Sequence, residues 1–391
     1  MEIQVQEETI RQMNVKHRTW FYVVSTIVAL AALFSFYVGV KEALVGGMDL
    51  QWSGAHLLAQ GQDPWKTFLE GDPLHQILLG QQPNYLAEYF LLLYPMGCMS
   101  LPHAVLCWCI VNLILLGCTL FLAGRMFQLS ARATLLLTLL TISSTPFRVV
   151  MANGQASIFI LFVLTVFYSS QSVFLRGLTL GLSYSKYSFS PLIVLVQLFK
   201  RRIAPLAISL VPPLLGILIA MAMLHESFPA VGIGPFLTAR VAMGPGWADI
   251  MTLVEAILKS AGASSKLAFA IPAILGLCCA FCAAVFLAKL KSIEVNTEFV
   301  LVLVFTLLCF KHLIYDFVVL LVPVAALIAK PLRRAHIITL ACIGYFWYGE
   351  TVLHRLHFEQ GVWVYLCNFA VLTTLAVFCV RALVPPCEER A

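Results

Sequence analysis

The feature that most constrains this chain is a succession of long apolar runs. The first, at about 19–40, is long enough to cross a bilayer as a helix, and similar runs recur as far as residue 382. Backbone groups in lipid must be satisfied within the chain, and the short alternating segments of membrane barrel strands do not occur here. With 61% hydrophobic and 11% charged residues, a soluble globular domain is excluded. We therefore expect an all-α, polytopic transmembrane helical bundle that forms one domain over 1–391.

The basic residues cluster near the ends of the runs, and they predict how the chain is oriented. By the positive-inside rule, those in the tail 1–18 place the N-terminus in the cytoplasm. Counting onward gives about twelve spans, with both termini inside and two polar segments, 41–84 and 225–265, on the outer face. We expect these two segments to cap a cavity that opens to lipid. A net charge of +6 distributed in this way indicates contact with membrane lipids and no nucleic-acid partner.

The count of twelve spans conflicts with the positive-inside rule at one place. It assigns 85–100 to span two and 177–199 to span six. As a result, Arg125, Arg132 and Arg176 fall on the outer side. Two explanations are open at this point: the three arginines bind an anionic group, or one of the short helices does not cross completely.

The polar stretch directly after the first run carries residues suited to chemistry at a membrane surface. The glycines at 46–47 let the backbone turn, and the carboxylate of Asp49 follows. The spacing predicts a short helix over 50–59, with Trp52 and His56 on one face. In a plainer interpretation, Asp49 only caps this helix and Trp52 belongs to an aromatic belt.

Two further polar sites lie within the apolar part of the chain. Lys186 falls inside predicted span six, where an unpaired ammonium is costly, so we expect a functional role, a charged partner or a shorter span. Asn153 and Gln155 flank Gly154, and they either bind a ligand or satisfy backbone groups at the start of a helix.

The cysteines give no sign of a disulfide framework or a metal site. The chain has 12 of them, most fall within apolar runs, and the polar segments 41–84 and 225–265 contain none. No pair with zinc-ligand spacing has partner histidines. We expect neither a metal nor another cofactor.

Several separated pieces of the chain, in their order, resemble one family. They are Met48-Asp49-Leu50 with Gln62-Asp63-Pro64-Trp65 after it, Tyr94-Pro95, Asn153-Gly154-Gln155, Arg176-Gly177-Leu178 with Lys186 and Lys200-Arg201-Arg202, and His312 between two short spans. Over most of residues 20–330 this order resembles glycosyltransferase family 87, the polyprenyl-phosphate-mannose-dependent mannosyltransferases of GT-C fold.

The resemblance implies an inverting mannosyltransferase of the bacterial inner membrane with its active site on the extracytoplasmic face. It would move mannose from polyprenyl-phosphate-mannose to a glycolipid or glycan acceptor. Asp49 would be the catalytic base, and His312 would act on the departing lipid phosphate. The residues expected to bind the donor phosphate or the substrates are Lys311, Lys186, Arg240, Gln155, Asn153 and Trp52.

Other interpretations remain open at the level of sequence. Lys311 and His312 could form a snorkelling pair at a helix end. A secondary transporter or flippase of a lipid or sugar would need charges along a path through the membrane, and Lys186 is the main mid-span charge. A non-catalytic scaffold in a cell-envelope assembly is a third alternative. The assignment of mannose as the sugar rests on the resemblance alone.

Overall fold

The computed structural model describes residues 2–46, 49–242, 244, 246–290, 293–349 and 361–384, with side chains from residue 23 onward. Within these ranges the chain forms helices and no strand, so the prediction of an all-α membrane protein is confirmed. Gly47, the second glycine of the predicted turn, lies outside the described residues. So does the outer loop around His354 that the charge pattern predicts between the last two spans.

The helices follow one another with short connections. The first half contains α1 (Glu2–Val45), α2 (Trp52–Ala59), α3 (Pro64–Leu69), α4 (Ala87–Leu92), α5 (Tyr94–Gly97), α6 (Leu101–Met126), α7 (Ala131–Ser143), α8 (Thr145–Asn153), α9 (Ser157–Ser169), α10 (Val173–Ser183) and α11 (Ser190–Phe199). The second half contains α12 (Ile203–Ser209), α13 (Val211–Leu224), α14 (Phe228–Ala242), α15 (Ile250–Ser260), α16 (Ser265–Lys289), α17 (Val295–Cys309), α18 (Leu321–Ile328), α19 (Arg334–Gly344) and α20 (Val362–Leu383). Two 3-10 turns, Tyr184–Lys186 and Ile314–Leu320, and a π turn, Tyr345–Gly349, complete the order.

Length divides the helices into two groups. Among the described residues, five segments are long and apolar enough to cross a membrane: Val23–Val45, α6, Ile203–Leu224, α16 and α20. The α7–α8 pair, bent by 62°, makes a sixth if it is taken as one span. The chain is therefore a multi-pass membrane protein. The count of twelve spans is not confirmed, because the other apolar helices are shorter than a bilayer crossing requires.

The short apolar helices form the centre of the bundle. Helices α9 and α17 are buried along most of their length, as is the segment Ile314–Ile328. The long helices keep broad apolar faces exposed, as expected for helices that face lipid. Short central helices end before long outer ones, so polar groups at their ends can lie within the bundle.

The structure corrects predicted span two. Residues 85–100 form two short helices, α4 and α5, which pack against the outer segment and do not form a crossing helix. A side chain at Gly97 would collide with the Ala55 carbonyl, and one at Gly54 would collide with the Phe90 ring. These close approaches hold α2 on α4 and α5 at the end of the bundle where Asp49 lies.

The structure also corrects predicted span six. Its apolar run is broken into α10 and α11 by the 3-10 turn that carries Lys186. Lys186 is therefore at a break between two short helices and not in the middle of a continuous span. Its ammonium is paired with the carboxylate of Asp316, so the expectation of a charged partner is met.

These two corrections account for the arginines that conflicted with the positive-inside rule. An Nη atom of Arg176 donates to Gln197 Oε1 at 3.5 Å, and Gln197 Nε2 donates to Glu298 Oε1 at 3.4 Å. Glu298 also pairs with Lys200 and Arg202. Arg176 thus lies at the same end of the bundle as the cluster that the sequence assigns to the cytoplasm.

The turn between α6 and α7 lies at this basic end as well. Asn296 Nδ2, near the start of α17, donates to the carbonyl of Met126 at 2.7 Å, next to Arg125. At the opposite end, the Asp49 amide donates to the carbonyl of Asn153 at 2.8 Å. The structure therefore favours the second explanation, in which a short helix does not cross.

This arrangement predicts which turns share a compartment. In a version whose native cysteines are replaced, Gln128→Cys and Gln171→Cys should resist a membrane-impermeant maleimide in intact cells, while Gln62→Cys reacts. The physical reason is the positive-inside rule, by which basic loops are retained in the cytoplasm. Permeabilised cells give the control, since all three positions are exposed. Labelling of Gln128→Cys together with Gln62→Cys in intact cells would contradict the arrangement.

Candidate active site

The loop after α1 is fixed on the end of α8. Besides the backbone bond from Asp49 to Asn153, Leu50 packs on Gly154, where an added Cβ would lie 3.2 Å from the Leu50 Cβ. Gly154 has φ +68°, a conformation that favours glycine, and its carbonyl accepts from Trp108 Nε1 at 2.7 Å. The glycine motif is thus a support for the Asp49 loop.

Asp49 does not cap the helix that follows it. The residue before α2 is Gln51, in a left-handed conformation at φ +66°, and no side chain caps this helix. Instead, Gln51 Nε2 donates to Asp49 Oδ1 at 2.7 Å. Gln51 is buried, and no sequence pattern singled it out. A non-glycine residue at positive φ is strained, and such strain is common where a functional group must be positioned.

The surroundings of Asp49 raise the affinity of its carboxyl for a proton. Burial raises the pKa of Asp49 to about 7, and the nearby Asp316 charge acts in the same direction. The hydrogen bond from Gln51 and the positive charge of Lys186 oppose this effect. A carboxylate with a pKa near neutrality is suited to general-base catalysis.

Asp316 is the centre of a polar network beside Asp49. Its Oδ1 binds the Lys186 ammonium and accepts from Ser157 Oγ at 2.6 Å. Its Oδ2 lies 3.2 Å from His312 Nδ1 and accepts from the Leu313 amide at 3.3 Å. Asp316 is not among the site residues predicted from the sequence, which indicates for it only an ion pair with Lys311 or an arginine; its spacing of four residues from His312 was a usable signal.

His312 is held with one ring nitrogen unpartnered. Nδ1 faces Asp316, the ring packs on Phe189 with centroids 4.4 Å apart, and Nε2 is buried without a hydrogen-bond partner in the described part of the chain. The backbone is fixed too, since the Trp247 amide donates to the His312 carbonyl at 2.8 Å. A buried, unpartnered ring nitrogen is a polar atom that a ligand can satisfy.

One cavity brings four of the sequence-predicted residues together. It measures about 740 Å³ to its open mouth, and Asp49, Lys186, Lys311 and His312 all line it. Both outer segments contribute to its wall, the first through Gly80, Gln82, Asn84 and Tyr85 and the second through Ala242, Gly244 and Gly246. The expectation that these segments cap a cavity is consistent with this position.

Arg240 lies in a second cavity that adjoins the first. This cavity measures about 1370 Å³ when the open space at its mouth is included, and apolar side chains make up much of its wall. Tyr187, Ser188 and Lys311 line both cavities. Lys311 therefore stands at the junction, with its ammonium on the carboxylate of Glu255.

The structure does not bring the remaining predicted residues to the cavity walls. Trp52 stacks on His56 with centroids 4.4 Å apart, and its Nε1 donates to the carbonyls of Met96 and Met99, each at 3.1 Å. Asn153 and Gln155 lie in the support beneath the Asp49 loop, where Gln155 Oε1 accepts from the Tyr85 hydroxyl at 3.2 Å. These three residues shape the site from outside the cavities.

A comparison with the profiles of known families shows which family the chain belongs to. The profile of glycosyltransferase family 87 matches residues 88–310, more than half of the sequence. The chain belongs to glycosyltransferase family 87. No curated protein and no solved structure matches it. The family resemblance deduced from the sequence is confirmed.

Membership makes the protein a glycosyltransferase, which acts on a sugar donor and an acceptor. The matched segment includes Lys186 and Arg240, while Asp49 precedes it and Lys311 and His312 follow directly after it. The fold brings these three back onto the matched segment at the cavities. Among the described residues, no three His, Cys, Asp or Glu side chains are grouped as metal ligands.

The hydrogen bond from Gln51 predicts a shift in the pH profile of this glycosyltransferase. A base must be ionised to act, so activity should fall as the pH drops below about 7. Gln51→Met removes a hydrogen bond that favours the ionised form of Asp49. The pKa of Asp49 should rise, and the acid limb of kcat/KM should move up by about one pH unit.

The exposed Gln62→Met serves as the matched control and should leave the acid limb in place. An unchanged acid limb in Gln51→Met would show that this bond does not tune the base.

Proposed function

We propose that the protein is an inverting glycosyltransferase that moves a mannosyl residue from polyprenyl-phosphate-mannose to a glycolipid or glycan acceptor. The observation that carries this proposal is the position of Asp49 in a cavity lined by many polar and charged side chains, which adjoins a larger, mostly apolar cavity across Lys311. A donor with an apolar tail, a phosphate and a sugar needs these environments in this order.

The adjoining cavity has the composition expected of a lipid-phosphate site. Its wall includes Phe236 and Phe269 beside Arg240, whose guanidinium carbon lies 5.9 Å from the Phe269 ring centre. Lys259 and Lys311 add two further cations, while Glu255 adds a carboxylate. Apolar side chains suit the polyprenyl chain, and the excess of positive charge suits the phosphate.

The proposed reaction assigns one role to each group at the junction. An Oδ atom of Asp49 takes the proton of an acceptor hydroxyl while the hydroxyl oxygen forms a bond to the anomeric carbon. The bond from that carbon to the phosphate oxygen breaks, and polyprenyl phosphate leaves with the electron pair. Because attack occurs opposite to the leaving group, the anomeric configuration is inverted.

The leaving phosphate gains negative charge, which the cations at the junction would offset. Lys311 and Arg240 lie on the side where the lipid would be held. When His312 is protonated, Asp316 holds its Nδ1–H, and Nε2–H is available to a phosphate oxygen. Lys186 keeps Asp316 in place, and in this scheme it does not contact the donor directly.

The location proposed for this reaction is the extracytoplasmic face of a bacterial inner membrane. The positive-inside rule places the basic end in the cytoplasm, so the Asp49 end faces outward. Nucleotide sugars do not reach that face, and a lipid-carried donor is needed there. The assignment of mannose and of a bacterial membrane is supported by the family resemblance. Lys186, the charge on which a transporter interpretation depended, is paired with Asp316 at the cavity wall.

Asp49→Asn tests the proposal directly. Purified protein in nanodiscs is given radiolabelled polyprenyl-phosphate-mannose and a membrane lipid extract, and label in new glycolipid is measured. Loss of the base should reduce transfer by about 10²- to 10⁴-fold, while donor binding persists.

Asp63→Asn is the matched control, since Asp63 caps α3 through the amides of Trp65 and Lys66 and asparagine also caps helices well. Equal transfer by wild type and Asp49→Asn would remove Asp49 from the chemistry. Donor binding without transfer in the wild type would contradict the proposed sugar or acceptor.

A further inference from the structure

A short segment without helical structure forms one wall of the Asp49 cavity. Along 81–85, exposure alternates: Gln81 and Tyr85 are buried, while Gln82 and Asn84 are half-buried and line the cavity. The family profile begins after this segment, at residue 88. The wall therefore consists of residues that the family match does not cover.

The buried members of the segment hold it in place. Gln81 Oε1 accepts from the amide and the hydroxyl of Ser53, at 2.7 and 3.0 Å. The Ser53 hydroxyl oxygen also accepts from the Leu78 amide at 3.0 Å, so the segment is tied to α2. At its far end, the Tyr85 hydroxyl donates to Gln155 Oε1, within the support of the Asp49 loop. The cavity-facing side chains thus stand on a backbone that is fixed relative to Asp49.

The two cavity-facing amides are free to bind a ligand. Neither the Gln82 nor the Asn84 side chain has a hydrogen-bond partner among the residues described. Each amide presents one acceptor oxygen and two N–H donors. A sugar carries several neighbouring hydroxyls that both donate and accept, and two adjacent amides match that pattern.

The position of the two amides favours binding of the acceptor over binding of the donor. Gln82 and Asn84 line the first cavity and not the second, where the lipid phosphate would lie. A donor that enters from the second cavity meets Lys311 and Tyr187 first, because these residues line both. The donor sugar then enters the first cavity from the side of Lys311 and Tyr187, and the amides, which line only the first cavity, are left to the acceptor.

We infer that Gln82 and Asn84 form a carbohydrate-binding subsite, which holds the sugar head of the acceptor against Asp49. The acceptor is therefore a glycan or glycoside, recognised through its hydroxyls, and not a simple alcohol or a lipid without a sugar head. This inference rests on the proposed function, in which Asp49 deprotonates an acceptor hydroxyl.

The test uses Gln82→Ala and Asn84→Ala in the full-length protein in nanodiscs. Transfer from polyprenyl-phosphate-mannose is measured while the membrane lipid extract is titrated, and then while the donor is titrated. Loss of one or two hydrogen bonds should raise the half-saturating amount of extract about tenfold and leave the donor KM unchanged. Gln76→Ala is the matched control. The side-chain amide of Gln76 donates to Gln62 Oε1 elsewhere in the outer segment 41–84, away from the cavity.

The outcomes show whether the two amides bind the sugar of the acceptor or the sugar of the donor. A rise in the donor KM with an unchanged extract requirement would assign the amides to the donor sugar and overturn the inference. No change in either would also overturn it. Wild-type transfer by Asp49→Asn, together with the expected change in the two amide variants, would remove Asp49 from the chemistry and leave the subsite in place.

A second measurement, of the melting temperature, does not depend on glycosyl transfer. Mannobiose should raise the melting temperature of the wild type and of Gln76→Ala, and should not raise that of the Gln82→Ala/Asn84→Ala double variant. An equal rise in all three proteins, or no rise in the wild type, would contradict the subsite.

Discussion

The carboxylate of Asp316 joins three parts of the bundle that are far apart in the sequence. It binds Lys186 at the break between α10 and α11, Ser157 at the start of α9, and His312 in the turn after α17. A buried charge without a partner is strongly destabilising, so this network holds the three short segments at one level. The part of the Asp49 cavity wall that Lys186, His312 and Asp316 form depends on this network.

Helix length explains why such a network can exist inside a membrane protein. Helices α9, α10, α11 and α17 are too short to cross a bilayer as single elements, while long helices surround them. Their ends therefore present polar groups within the bundle, where irregular backbone is tolerated because it lines a cavity. The Asp49 loop and the turn that carries Lys311 and His312 form further parts of the cavity wall.

Local chemistry made part of this arrangement predictable from the sequence. The break after α1 and the helix α2, with Trp52 stacked on His56, follow from glycine and periodicity rules. The family resemblance added the roles expected for Asp49 and His312, and both side chains line one cavity.

The features that were not predictable depend on tertiary contacts. Hydropathy cannot distinguish a short apolar helix buried in protein from one that crosses lipid, so 85–100 was assigned to a span. The break at Lys186 depends on Asp316, which lies 130 residues later in the chain. Neutral amides carry no positional signal, which is why Gln51, Gln82 and Asn84 were missed. Tryptophan is typical of the aromatic belts of membrane proteins, yet the indole N–H of Trp52 donates hydrogen bonds to the carbonyls of Met96 and Met99.

The central claim is that the two adjoining cavities hold a lipid-phosphate sugar donor with its anomeric carbon toward Asp49. A cryo-EM structure with a non-transferable phosphonate analogue of polyprenyl-phosphate-mannose would test it most directly. The account predicts the phosphonate within hydrogen-bonding distance of Lys311 or Arg240, the tail along Phe236 and Phe269, and the sugar on the Asp49 side of the junction. A headgroup bound at the opposite end, near Lys200 and Arg202, or a sugar turned away from Asp49 would contradict it.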